Sequence, residues 1–173
     1  NPPLYYTGAS LFYNLFKNGS IISRIYAVRF FSLLIFVLTI IASFEFSKII
    51  FKKANEQFTF SAVLAFLPMF VFVSTGILPD PLTNLLFSLV IIVCLKIISG
   101  KLTVKNIVLL AVFVVLGALT RQQFLISLVL IGVTLVYALL KGKDKKIFYA
   151  ISVFILLLFP LTFVVPQLQY LRN

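Results

Sequence analysis

The amino-acid sequence predicts an all-α fold: a multi-span transmembrane helical bundle of about six spans, with a short additional helix in the outer membrane interface. Hydrophobic residues make up 62% of the 173 residues and charged residues only 11%. The mean hydropathy is +1.16, whereas soluble domains are about half apolar and about a quarter charged. Apolar runs of about 20 residues, enough to cross a hydrocarbon core of about 30 Å, recur along the chain.

Six apolar runs predict six spans, because backbone amides in lipid must be paired within helices. We place the spans near residues 25–47, 58–76, 82–99, 104–120, 124–140 and 147–165. Pro68, Pro160 and Pro166 fall in or beside these runs and are predicted to kink or end helices. The chain then divides into an outward segment with an interfacial helix at 1–23 and a transmembrane bundle at 24–173.

The basic residues predict which helix ends face inward, because Lys and Arg concentrate on cytoplasmic loops. Ten lysines share the predicted inner ends, namely Lys48, Lys52, Lys53, Lys96, Lys101, Lys105, Lys141, Lys143, Lys145 and Lys146. Lys17 and all four arginines fall at or near the outer ends. The net charge of +11 therefore reflects topology, and we expect no nucleic-acid partner. Since the planar guanidinium suits bidentate binding of phosphate or carboxylate, the outward face is predicted to handle anions.

The scarcity of reactive side chains excludes several kinds of chemistry. The chain has no His, so His-based zinc sites, His general bases and Ser-His or Cys-His nucleophile systems are excluded within it. The single cysteine, Cys94, lies inside an apolar run and is predicted to be a small core residue. Any chemistry is left to four acidic residues, the cations, hydroxyls and amides.

Two charged residues, Asp80 and Arg121, lie in the predicted outward turns. Asp80 lies in "STGILPDPLTNLL" and is either an ordinary turn or helix-capping residue or a carboxylate that lines an outward cavity. Arg121 lies in the break "TRQQ" and is either a snorkelling loop residue or a cation that points into a cavity. The break has no Gly or Pro turn signal, which favours the cavity.

Arg24 and Arg29 flank the start of the first span. Five residues place them roughly 140° apart on a helix, with Arg29 about 7.5 Å deeper. A charged side chain in lipid is costly, about 2.5–3.5 kcal/mol at mid-bilayer, and normally faces protein or water. Arg29 is therefore the site candidate and Arg24 an interfacial anchor. Glu45 lies three residues before Lys48, and this spacing predicts an ion pair between their side chains.

The outward segment carries its own helical pattern. An apolar face is formed by Leu11, Phe12, Leu15 and Phe16. Ser10 is the predicted N-cap and Gly19 the predicted stop, which together indicate a short helix in the outer interface. The preceding "NPPLYY" is predicted to be a rigid elbow.

Several motifs, in order, resemble the GT-C membrane glycosyltransferases, notably the protein mannosyltransferase, aminoarabinose transferase and RgtA-like group. These motifs are "NPPLYY", the arginine at the start of a span (Arg29), "LPDPLTNLLFSL" and "VLGALTRQQFLISL". The resemblance implies transfer of a sugar from a polyprenyl-phosphate donor to a lipid, glycan or protein acceptor at the outer or lumenal face. It implies no cofactor, or a divalent cation.

The resemblance also implies roles for individual residues. Asp80 matches the acidic position after the third family span and is the candidate acidic site residue. Arg121 matches a basic position, and with Arg29 is assigned to the donor phosphate. The cavity lining is assigned to Pro2, Pro3, Tyr5, Tyr6 and Gln122. The catalytic base is expected upstream of Asn1, so this chain is expected to be an internal fragment of a larger GT-C module and inactive alone.

Two other hypotheses stay open from the sequence: a transporter or flippase of an anionic lipid-linked substrate, and a GT-C-like membrane protein without catalysis. A transporter predicts internal repeats, and the sequence shows none. We expect a multi-pass protein of the prokaryotic plasma membrane rather than the endoplasmic reticulum, with membrane lipid around it. The enzyme hypothesis requires Asp80, Arg121 and the Tyr5–Tyr6 pair to converge on one outward cavity.

Overall fold

The computed structural model describes residues 4–100 and 103–141. These residues form helices connected by short turns, without a strand among them, and the predicted all-α class is confirmed. The helices are α1 (Leu4–Leu15), α2 (Ile21–Ile50), α3 (Ala54–Phe66), α4 (Pro68–Thr75), α5 (Asp80–Ile98), α6 (Val104–Thr120), a 3-10 helix (Gln122–Ile126) and α7 (Ser127–Lys141). The sixth predicted span, with Pro160 and Pro166, lies outside the described residues.

Helix length and composition identify which described helices can cross a membrane. Both α2 and α5 are long and apolar enough to do so, and α3 with α4 forms a further candidate as one broken span. The break lies between Leu67 and Pro68 and bends the pair by 58°. The predicted kink at Pro68 is confirmed, because proline lacks the N–H that would continue α3 and suits the first turn of a new helix. The fourth and fifth predicted spans correspond to α6 and to the 3-10 helix with α7, which are shorter apolar segments.

Ring contacts along α2 show the direction of the bent pair. The Phe46 and Phe60 ring centroids lie 5.6 Å apart, and those of Phe36 and Phe70 lie 5.5 Å apart. Later residues of the α3–α4 pair thus meet earlier residues of α2, so the pair returns antiparallel to α2.

α5 is the central helix and packs against α2, α6 and α7. Phe87 of α5 meets Phe124 of the 3-10 helix with centroids 6.2 Å apart, and Cys94 lies beside Thr134 of α7. The main core contains side chains of α5, α6, the 3-10 helix and α7: Leu86, Val90, Val93, Cys94, Ile97, Ile107, Leu110, Val114, Phe124, Ile131, Leu135 and Ala138. Cys94 is buried within this core, as the sequence predicted.

α2 divides into a buried face and an exposed face. The buried face has small and polar residues among its apolar ones: Val28, Ser32, Ile35, Thr39, Ala42, Ser43 and Ser47. Hydroxyls on this face bond carbonyls of their own helix, as in Thr39 Oγ1 to Ile35 O at 2.9 Å and Ser43 Oγ to Ile40 O at 2.7 Å. With their polar groups paired, these small side chains let α2 approach its neighbours closely.

The helix α1 folds back along α2 as an antiparallel hairpin. Phe12 of α1 meets Phe31 of α2, with centroids 4.9 Å apart. Arg24 closes the turn: its guanidinium donates to the Lys17 carbonyl and to the Tyr13 hydroxyl. The predicted interfacial anchor therefore serves as a clasp within the hairpin.

The observed α1 corrects two sequence predictions. It begins at Leu4 rather than at the predicted N-cap Ser10, so Tyr5 and Tyr6 belong to its first turn and not to an elbow before it. The Ser10 hydroxyl bonds the Thr7 carbonyl at 2.8 Å, inside the helix. The helix starts early because Tyr5 and Ala9, one turn apart, are both buried against α2.

The ends of the helices opposite Asp80 and Arg121 carry most of the described lysines. Lys48 bonds Glu45 at 2.6 Å, which confirms the predicted ion pair, and Lys53 lies 3.8 Å from Glu56. These pairs are largely exposed, so each stabilises the fold little.

Gly117 allows the turn between α6 and α7 to close, because the Phe124 ring packs directly against its Cα. A Cβ at Gly117 would overlap the Phe124 side chain. At Gly132 of α7, by contrast, a Cβ would meet open space.

We therefore expect Gly117→Ala to lower the free energy of unfolding by ~1–3 kcal/mol, the usual cost of overpacking. Gly132→Ala is the matched control and should leave stability unchanged or slightly raised, since Ala favours helix. Thermal unfolding in detergent micelles measures both, and equal melting temperatures for the two variants would contradict the packing described.

Candidate functional site

Asp80 and Arg121 form an ion pair at one end of the bundle, although 41 positions separate them in the chain. Asp80 is the first residue of α5, and Arg121 follows the last residue of α6. The Arg121 Nη1 donates to Asp80 Oδ1. The Arg121 side chain is 40% exposed and the Asp80 side chain is 26% exposed, so the pair is accessible from outside the core.

Local backbone structure holds Arg121 in place. Its N–H donates to Gly117 O at 2.9 Å, which ends α6, and its carbonyl accepts from the Phe124 N–H at 3.0 Å. Arg121 itself is extended, with φ −159° and ψ 133°. These two backbone hydrogen bonds hold Arg121 between α6 and the 3-10 helix.

Asp80 combines features of both sequence interpretations. Pro79, not Asp80, occupies the N-cap of α5, and Asp80 lies in the first turn. A carboxylate there is favoured by the positive end of the helix dipole. It is also partnered by Arg121, so its charge is balanced by both the helix end and the cation.

Tyr5 reaches the same end of the bundle but is not a surface residue. It is fully buried, and its hydroxyl lies 2.7 Å from Ser32 Oγ of α2. The backbone of Leu78, in the turn before Asp80, lies beside this hydroxyl. Burial raises the pKa of Tyr5 above its ordinary value of 10.0, so the phenol stays neutral at physiological pH. Tyr5 therefore ties α1, α2 and the turn before α5 together.

The other residues assigned to the cavity lining have varied positions. Tyr6 is 39% exposed, and its ring meets that of Tyr5 edge-on at 5.3 Å. Gln122 is exposed at the start of the 3-10 helix. Pro2 and Pro3 lie outside the described residues, and so does Asn1.

A large cavity lies beside the hairpin rather than at the Asp80–Arg121 pair. It has a volume of about 1220 Å³ and contains Arg29 on its wall. Its remaining lining is mainly apolar and aromatic: Phe12, Leu15, Phe16, Ser20, Ile22, Ser23, Tyr26, Ala27, Phe30, Leu33, Phe72, Thr75, Gly76 and Leu78. We call this space the hairpin cavity. Its lining includes neither Tyr5 and Tyr6 nor Asp80 and Arg121.

The two arginines assigned to one phosphate thus occupy different surroundings. Arg121 is paired with a carboxylate, whereas Arg29 lies exposed in the hairpin cavity with its guanidinium carbon 6.0 Å from the Tyr26 ring centroid. Asp80 and Arg121 meet each other, but Tyr5 is buried and Arg29 lines the hairpin cavity, which includes neither member of the pair. The helical spacing of Tyr26, Phe30 and Leu33 predicts that they share one face of α2. No sequence pattern predicts that α4 lies across the cavity from that face.

We expect Tyr5→Phe to lower the free energy of unfolding by ~0.5–1.5 kcal/mol, because it deletes a buried hydrogen bond at constant shape. Tyr6→Phe is the matched control, since its ring is partly exposed, and should be close to neutral. Thermal unfolding in micelles compares them, and the assignment of Tyr5 as a tie fails if both variants behave alike.

The Asp80–Arg121 contact is tested by a double-mutant cycle of Asp80→Asn and Arg121→Gln. Because the pair is partly exposed, the coupling energy should be ~0.2–1 kcal/mol. Chemical denaturation of the wild type, both single variants and the double variant gives this coupling. Strictly additive effects would show that the two charges do not interact.

Comparison with protein families gives one match. The model of a family described as a predicted membrane protein (DUF2142) matches residues 2–170. Neither curated proteins nor solved structures show a match. The family match covers nearly the whole chain and agrees with its apolar helices, and the chain accordingly belongs to the DUF2142 family of membrane proteins.

Proposed function

We propose that the protein is a membrane glycosyltransferase that transfers a sugar from a polyprenyl-phosphate-linked donor to a lipid, glycan or protein acceptor at the outer or lumenal membrane face. The ordered motifs that resemble the GT-C enzymes suggest this activity. The single structural observation that carries it is the pairing of Asp80 with Arg121. This pairing joins two motifs of the resemblance, "LPDPLTNLLFSL" and "VLGALTRQQFLISL", at one accessible end of the bundle.

The chemistry of the reaction explains why such a pair is useful. When the bond between the sugar and the phosphate breaks, negative charge develops on the departing lipid phosphate. A fixed cation stabilises that charge most when its position is set before the reaction. A guanidinium has five N–H donors, and the contact with Asp80 is made through Nη1. Arg121 therefore keeps donors for a phosphate while Asp80 holds its orientation.

In this proposal Asp80 is a positioning residue for Arg121. It is also the acidic residue through which a divalent cation would act, if the enzyme uses one. Among the residues that the structure describes, no group of three or more metal-ligating side chains occurs. Asp80 would hold such an ion only together with oxygen atoms of the substrate phosphates, an arrangement typical of Mg²⁺.

The distribution of lysines supports the outward or lumenal placement of this site. Asp80 and Arg121 lie at the helix ends opposite Lys48, Lys53, Lys96 and Lys105. Since basic residues favour the cytoplasmic side, the Asp80–Arg121 end is assigned to the other side of the membrane.

Sugar transfer in membranes that contain the full-length protein, of which this chain is expected to be a part, tests the proposal. With a radiolabelled polyprenyl-phosphate sugar as donor, Arg121→Ala should reduce the transfer rate by about 10²–10³-fold, the usual effect of removing a fixed donor to a developing charge. Arg121→Lys should retain part of the activity, because it keeps the charge but not the fork. The transfer rate of Asp80→Asn should lie between those of Arg121→Ala and Arg121→Lys.

Gln123→Ala is the matched control, because Gln123 is an exposed neighbour of Arg121 in the same turn. It should transfer sugar at the wild-type rate. Wild-type transfer by Arg121→Ala in the full-length protein would remove Arg121 from the site, and absence of donor-dependent transfer by the full-length wild-type protein would refute the glycosyltransferase assignment.

A further inference from the structure

The hairpin cavity has the size and walls of a site for a large amphiphile. Its volume of about 1220 Å³ exceeds the ~300–1,000 Å³ that is usual for small-molecule sites. Its walls come from the end of α1, the first half of α2 and the end of α4. Aromatic side chains from all three helices line it, including Phe12, Tyr26 and Phe72. Such walls favour a ligand with a long apolar portion.

The charge of the cavity favours an anionic ligand. Arg29 is its charged lining residue, and the contact that the structure shows for this guanidinium is the Tyr26 ring. The segment 1–44 contains Lys17, Arg24 and Arg29 but no acidic residue. Because Arg24 already clasps the hairpin turn, Arg29 is the cation available to a ligand. Among the residues that the structure describes, no carboxylate pairs with Arg29, and a guanidinium beside apolar walls suits a phosphate group.

The exposed face of α2 extends the cavity towards the middle of the helix. Exposed apolar side chains recur at helical spacing through Tyr26, Phe30, Leu33, Val37 and Ile41. The first three line the cavity, and the last two continue the same face. Ile41 follows Arg29 by twelve positions, which is about 18 Å along the helix at 1.5 Å per residue. One leaflet of a ~30 Å hydrocarbon core is about 15 Å deep.

We propose that the hairpin cavity binds an anionic phospholipid of the surrounding bilayer, with the lipid phosphate at Arg29 and an acyl chain along the exposed face of α2. The distance from Arg29 to Ile41 matches a chain that occupies one leaflet, whereas a polyprenyl chain is much longer. The site is separate from the Asp80–Arg121 pair, whose residues do not line the cavity. The proposal does not depend on sugar transfer.

The absence of tryptophan from the chain permits a direct test. Phe30→Trp places a single reporter in the cavity wall, and Phe72→Trp places a second reporter on the opposite helix should the first variant fold poorly. The 173-residue chain, which has no other tryptophan, is reconstituted in phosphatidylcholine vesicles with either brominated phosphatidylglycerol or brominated phosphatidylcholine at equal mole fractions. The bromine atoms quench a nearby tryptophan, so the two quenching curves give a relative affinity for the lipids.

We expect brominated phosphatidylglycerol to be preferred by about fivefold, the effect of one basic residue near anionic lipid. Arg29→Gln in the reporter background should bring the ratio close to one, and Arg29→Lys should preserve much of it. Lys17→Gln is the matched control, because Lys17 is exposed beside the hairpin turn but is not a lining residue; its ratio should stay at the wild-type value. An Ile41→Trp reporter, near the acyl-chain end, should show little preference between headgroups.

Three results would overturn the proposal. The first is equal quenching by both lipids at both cavity reporters. The second is an anionic preference that Arg29→Gln leaves intact or that Lys17→Gln abolishes, which would indicate general surface electrostatics. The third is relief of quenching by unlabelled polyprenyl phosphate at amounts where unlabelled phosphatidylglycerol has no effect, which would identify the donor lipid as the occupant. None of these outcomes depends on transfer activity, so they are distinct from failure of the proposed enzyme.

Discussion

The burial of α5 among α2, α6 and α7 is the constraint on which the rest of the described structure depends. Its apolar side chains supply much of the main core, and its first residue, Asp80, is held by the end of α6. Since lipid is as apolar as the helix surfaces, close packing and paired polar groups, rather than hydrophobic burial alone, hold such helices together. The position of α5 therefore decides which turns meet at the Asp80 end.

Hydroxyl groups within the bundle show how that packing is kept compatible with lipid. Thr39, Ser43 and Ser47 of α2 bond carbonyls of their own helix, as do Thr120 of α6 and Thr134 of α7. A small side chain with a satisfied hydroxyl lets helices approach without leaving an unpaired polar group. Tyr5 is different because its hydroxyl crosses from α1 to Ser32 of α2. It therefore joins helices, and it positions the turn that precedes Asp80.

Arg121 and Arg29 are distinguished by what surrounds them. Arg121 is fixed by its backbone bonds and balanced by Asp80, which suits a group that must be oriented before charge develops on a ligand. Arg29 lies against aromatic and apolar side chains, which suits an amphiphile whose headgroup supplies the missing negative charge. The same residue type at the same end of a bundle thus supports two different proposals, one for catalysis and one for lipid binding.

The sequence by itself determined the all-α membrane class, the approximate helices, the kink at Pro68, the buried Cys94 and the Glu45–Lys48 pair, because these follow from composition, local spacing and backbone chemistry. It also identified Asp80, Arg121 and Arg29 as unusual charges in apolar surroundings. Only the tertiary structure decided that Asp80 meets Arg121 while Arg29 joins a separate cavity, and that Tyr5 is buried in an early first turn of α1. Those outcomes depend on contacts between distant segments, and helical periodicity shows which face a residue occupies but not which helix packs against that face.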